Sequence, residues 1–209
     1  MRVHTMVQWY GMMQPHDIRQ YLIELTPYLK AAAAFFTAGL LLGTYIARAL
    51  PESAGVVQDS AIAFVEGFAE MTPAQLFLFI FLNNAVKTFV FMLLGIVFGI
   101  VPALFLFLNG AVIGVVVALL FTELGGVLIA AALIPHGIIE IPAVLAGSAI
   151  GLLLGTRVFQ KLRDRDIVLL PHFKRSIQFF TIVLIPLFLL AAAIEVVITP
   201  SVVRFVAGA

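Results

Sequence analysis

Residues 74–122 are almost continuously apolar and carry one charged side chain, Lys87. A helix crosses the hydrocarbon of a bilayer in about 20 residues, so this stretch is too long for one span and long enough for two. Proline removes a helix hydrogen bond, which puts the break at Ile100-Val101-Pro102 and gives spans at 75–100 and 103–122. The same ruler gives spans at 29–49, 125–155 and 177–199. The expected fold class is all-α: a polytopic membrane helix bundle of about five transmembrane helices, one membrane domain over 1–209. Composition excludes a soluble fold, because only 11 % of the residues are charged where a soluble domain carries roughly a quarter. A secretory signal at 31–47, with Ala47-Arg48-Ala49 resembling a cleavage site, is set aside. The apolar run is too long, and too much chain precedes it.

The bases set an orientation. Residues 1–30 carry Arg2, Arg19 and Lys30, and residues 156–175 carry Arg157, Lys161, Arg163, Arg165, Lys174 and Arg175. Residues 51–73 carry no base but have Glu52, Asp59, Glu66 and Glu70. The positive-inside rule places the first two regions in the cytoplasm and the third outside. The expectation is a multi-pass protein of the cell membrane, N-terminus cytoplasmic and C-terminus external. Two flanking segments are amphipathic and suited to the interface. In 17–25, within a cytoplasmic stretch 1–28, Ile18, Tyr21, Leu22 and Leu25 oppose Asp17, Gln20 and Glu24. In 57–71, on the external side, Val57, Ala61, Phe64, Val65 and Phe68, with the less well placed Ile62, oppose Asp59, Glu66 and Glu70. The alternation Arg163-Asp164-Arg165-Asp166 reads as a solvated, self-paired helix extension, with anionic lipid binding as the alternative.

Small residues recur at every fourth position in Gly39/Gly43, Gly95/Gly99, Gly110/Gly114 and Gly147/Gly151/Gly155. That spacing lets backbones approach, either within one protomer or in a homo-oligomer. The polar residues inside the spans are few: Asn83, Asn84 and Lys87 in the second, Asn109 in the third, His136 and Glu140 in the fourth, Glu195 in the fifth. Counted from their span ends, Lys87 and Glu140 lie at similar depth. Because an isolated charge in hydrocarbon is costly, the two are expected to pair, with Asn83, Asn109 and His136 completing a buried polar cluster. Pro102, Gly110, Pro135, Gly137 and Pro142 are expected as helix breaks around it.

The cluster admits a structural reading, in which it fixes helix register, and a transport reading, in which it carries a proton, ion or solute. His136 and Glu140 give two metal ligands, short of the three or four that zinc takes, so no metal and no cofactor is expected. The chain has no cysteine and no room for a soluble catalytic domain. It also lacks His-Glu-x-x-His and Gly-x-Ser-x-Gly, so it is not read as an enzyme. The partners expected are the lipid bilayer, further copies of the chain and other membrane or envelope proteins, and no nucleic acid.

Three motifs carry a resemblance: Phe81-Leu82-Asn83-Asn84, Leu108-Asn109-Gly110-x-x-x-Gly114, and Pro135-His136-Gly137-x-x-Glu140-x-Pro142-Ala143. In order and spacing the chain resembles the stage II sporulation protein M family over roughly residues 30–200. The resemblance implies a multi-pass membrane protein with no established enzymatic activity. In spore-forming bacteria the family's namesake anchors a peptidoglycan-remodelling complex during engulfment. The matching positions are Asn83, Asn109, Gly110, Pro135, His136, Gly137, Glu140 and Pro142. Two functions stay open: a non-enzymatic scaffold or assembly factor, and a small transporter or channel.

Overall fold

A computed structural model describes residues 13–50 and 71–208, with a few positions between 52 and 59. The external amphipathic segment expected at 57–71 lies almost wholly outside the described residues. The chain forms α1 (Pro15–Ala49), α2 (Pro73–Leu93), a 3₁₀ turn (Leu94–Ile96), α3 (Ile100–Leu124) and α4 (Gly126–Arg163). There follow α5 (Leu169–Phe179), a π-helical segment (Phe180–Leu184), α6 (Ile185–Val197) and α7 (Thr199–Ala207). No strand occurs among the described residues. Among the described residues five helical stretches are long and apolar enough to cross a membrane: α1, α2 with its 3₁₀ turn, α3, α4, and the run from α5 to α7.

Local chemistry sets most boundaries. Pro15 opens α1, and Asp17 accepts a hydrogen bond from the backbone N–H of Gln14 at 2.9 Å. Thr72 caps α2 reciprocally with Gln75, Thr72 Oγ1 accepting from the Gln75 N–H and Gln75 Oε1 from the Thr72 N–H. The α2–α3 reversal is made by Phe98 and Gly99, both left-handed at φ 51° and 75°. Glycine adopts that conformation freely, whereas Phe98 is strained there. Gly125, at φ 80°, is the one-residue joint between α3 and α4. Pro186 falls in the first turn of α6, where its missing N–H leaves the Ile182 carbonyl without its usual partner. The π-helical turn precedes it.

The helix breaks therefore differ from those expected. Pro102 does not interrupt the chain; it sits in the first turn of α3, where an N–H has no intrahelical partner anyway. Gly110 lies inside an unbroken α3, and Pro135, Gly137 and Pro142 lie inside an unbroken α4. Span 1 likewise continues without a break into the 17–25 segment, forming one helix from Pro15.

Glycine decides the packing. A Cβ added at Gly39 or Gly43 of α1 would stand 2.0 Å from the carbonyl oxygens of Phe107 and Ala111 in α3. One added at Gly110 or Gly114 would stand 2.2 Å from those of Phe36 and Leu40 in α1. The two backbones touch through both small-residue faces, which gives van der Waals contact where lipid supplies no hydrophobic drive. Gly151 and Gly155 of α4 admit the α2–α3 turn in the same way, against Gly95 and Gly99. Helix α4 is central: half of its most apolar 18-residue window is buried, against 17–22 % in the other four stretches. Around it close Tyr21 and Leu25, Ala85 and Met92, and Phe179, Phe180, Leu184 and Phe188.

Candidate functional site

The intramembrane polar residues do not form one cluster. Asn83 donates to Asn84 Oδ1 at 3.2 Å, and Asn109 donates to the Phe105 carbonyl of its own helix at 2.7 Å. The expected Lys87–Glu140 pair is absent. The buried line of α2 runs through Ala85, Thr88 and Met92, so Lys87 stands off that line and is exposed. Its level differs as well. Thr88 packs on Gly147, which sets Lys87 level with Ala146 and leaves Glu140 about 9 Å away along the helix at 1.5 Å per residue. A charge in mid-hydrocarbon costs roughly 2.5–3.5 kcal/mol, and Lys87 has no ion pair among the described residues.

His136 has a different partner. Its Nδ1 meets Glu195 Oε2 of α6 at 2.5 Å, tying the two-proline stretch of α4 to the end of the last span. Both atoms are cut off from the surface and neither has a well-aligned hydrogen bond, so the contact is charge against charge or a strongly bent bond. Glu140, one turn beyond His136, is half-buried and within electrostatic range of both. This trio occupies the end of the bundle where α3 meets α4, hereafter the far end. Among the described residues no group of three or more His, Asp or Glu side chains is arranged to hold a metal ion. Glu195 was legible from register: it follows the start of α5 by almost as many residues as His136 precedes the end of α4.

A second constellation lies at the opposite, basic end, and sequence reasoning did not find it. Glu24 of α1 accepts from Arg157 of α4 on one oxygen (2.8 Å) and from Arg175 of α5 on the other (2.9 Å). Arg157 also donates to Gln160, and the Arg175 guanidinium lies 4.7 Å from the centroid of the Tyr21 ring. The Tyr21 hydroxyl shares a buried 2.9 Å hydrogen bond with Ser176. In the 17–25 segment Glu24 thus turns inward with Tyr21 and Leu25, while Leu22 is exposed. Arg163 and Asp164 do not pair. Arg163 lies over the Phe159 ring, Asp164 accepts from the Asp166 N–H, and Lys161 closes the turn by donating to the carbonyls of Arg165 and Ile167.

Comparison of the sequence with known families matches the stage II sporulation protein M family over residues 32–200. The chain belongs to the stage II sporulation protein M family. The match covers most of the chain, from within α1 to the start of α7, and includes both constellations except Tyr21 and Glu24. No curated protein and no solved structure matches.

Proposed function

We propose that this member of the stage II sporulation protein M family is a non-enzymatic membrane scaffold. It sits in the cell membrane with its N-terminus and the α4–α5 turn on the cytoplasmic side. One observation carries the reading: both glycine seams bring backbones into contact, so α1 with α3, and α4 with the α2–α3 turn, make rigid units. Such a bundle suits a support that holds partners at fixed spacing. The orientation rests on Lys161, Arg163 and Arg165 at the exposed α4–α5 turn. The test is flux through proteoliposomes. Wild-type protein should pass protons and alkali cations no faster than empty vesicles, and Glu140→Gln should fold and behave alike.

The second reading is a transporter, favoured by the meeting of His136, Glu195 and Glu140 next to two prolines. Flux above the empty-vesicle rate that Glu140→Gln abolishes, in a protein that still melts cooperatively, would put it first.

A further inference from the structure

The cation of α2, which has no ion pair among the described residues, points outward. Lys87 stands beside an exposed ridge formed by Leu82, Val86 and Val90, one turn after Asn83. It has no water to reach. The α2–α3 turn at Phe98 is about 16 Å along the helix and Thr72 is farther still, while a four-carbon stem spans neither distance. Nor do the described residues supply a partner at that level, which on α4 is Ala146; Glu140 lies two turns towards the far end. The buried face of α2 is already occupied by α4 and α6 through Ala85, Thr88 and Met92. A lone ammonium in hydrocarbon is stabilised above all by a carboxylate at its own depth.

We infer that the outward face of α2 docks a transmembrane helix of another protein that carries an Asp or Glu at mid-membrane depth, paired to Lys87. The apolar ridge Leu82/Val86/Val90 packs along that helix, and the ammonium fixes its depth and identity. A partner lacking the acid leaves the cation unpaired, so the pair selects as well as binds. The inference deepens the scaffold reading by giving one partner's chemistry, and it rests on that reading only for its biological sense.

The experiment uses the full chain in lipid nanodiscs and a synthetic 24-residue leucine-rich helix with one central Glu, read by energy transfer between labels. The control peptides carry Gln at the centre, or Glu displaced by two turns. The central-Glu peptide should bind at least tenfold more tightly than either control, and Lys87→Leu should remove that preference while the protein keeps its melting cooperativity. Equal binding of central-Glu and Gln peptides overturns the inference, as does a preference that survives Lys87→Leu. A wild-type homodimer that Lys87→Leu dissolves also overturns it, because a second copy then covers the face. Should Lys87→Leu fail to fold, Lys87→Gln gives the same comparison. Vesicle flux tests the scaffold reading separately, so either idea can fail alone.

Discussion

The two ends of the bundle solve the same problem differently. At the basic end Glu24 has a guanidinium on each oxygen, Arg175 stacks on Tyr21, and Tyr21 is bonded to Ser176. At the far end two carboxylates face one imidazole, and the one close contact, His136 with Glu195, is poorly aligned for a hydrogen bond. The first arrangement resists change, because each of its side chains has at least one partner, although the buried Arg157 Nε has none, and removing one strands the others. The second holds three ionisable groups with fewer bonds than they can make, so the loss of one contact there strands less. A well-paired anchor at one end and an under-bonded trio at the other divide the bundle's polar stabilisation unevenly along the helix axis.

Four substitutions test that division. The largest effect is expected where both ends share a foundation. Gly43→Val forces a side chain into the Ala111 carbonyl and should cost roughly 3 kcal/mol or more, seen as loss of monodisperse protein from detergent extracts. Glu24→Gln strips both arginines of their counter-charge and should cost about 1–2 kcal/mol. The loss would appear as a lower Tm and should shrink in high salt, since these side chains are about a quarter to a third exposed. Phe98→Gly should raise the Tm, relieving about 1 kcal/mol of left-handed strain at the cost of the 6.4 Å edge contact with Phe159. Glu195→Gln should change stability least, by under about 1 kcal/mol, because the neutral amide still offers His136 an acceptor and carries no charge into the hydrocarbon. If Glu195→Gln instead destabilises as much as Glu24→Gln, measured side by side in one detergent, the two ends are equally structural and the comparison fails.

Much of the fold was legible in the residues. The apolar lengths set five spans, and the joint at Gly125 falls on the residue where the fourth span was expected to begin. The Thr72-Pro73-Ala74-Gln75 cap could have moved the start of span 2 from 75 to 73, since the capping signal is local. The break at 98–99 was harder to see. Proline in a first turn costs nothing, so Pro102 marked the beginning of α3 and not the gap before it. The candidate site was legible only in part. His136 and Glu140 stand on one face as their spacing requires, but Lys87 and Glu195 changed places as the neighbour of that face.

The sequence by itself determined that this is an all-α membrane bundle of about five spans and which family it belongs to, because hydropathy and motifs are properties of short stretches. Only the tertiary structure decided which way each polar residue points. A helix apolar all round has no hydrophobic face to orient it, so rotation about its axis is set by where glycines let another backbone in. Gly147 receiving Thr88 turns Lys87 outward and fixes its depth, and α1 folding along α4 and α5 carries Glu24 to its two arginines. Both outcomes depend on contacts between residues far apart in the chain.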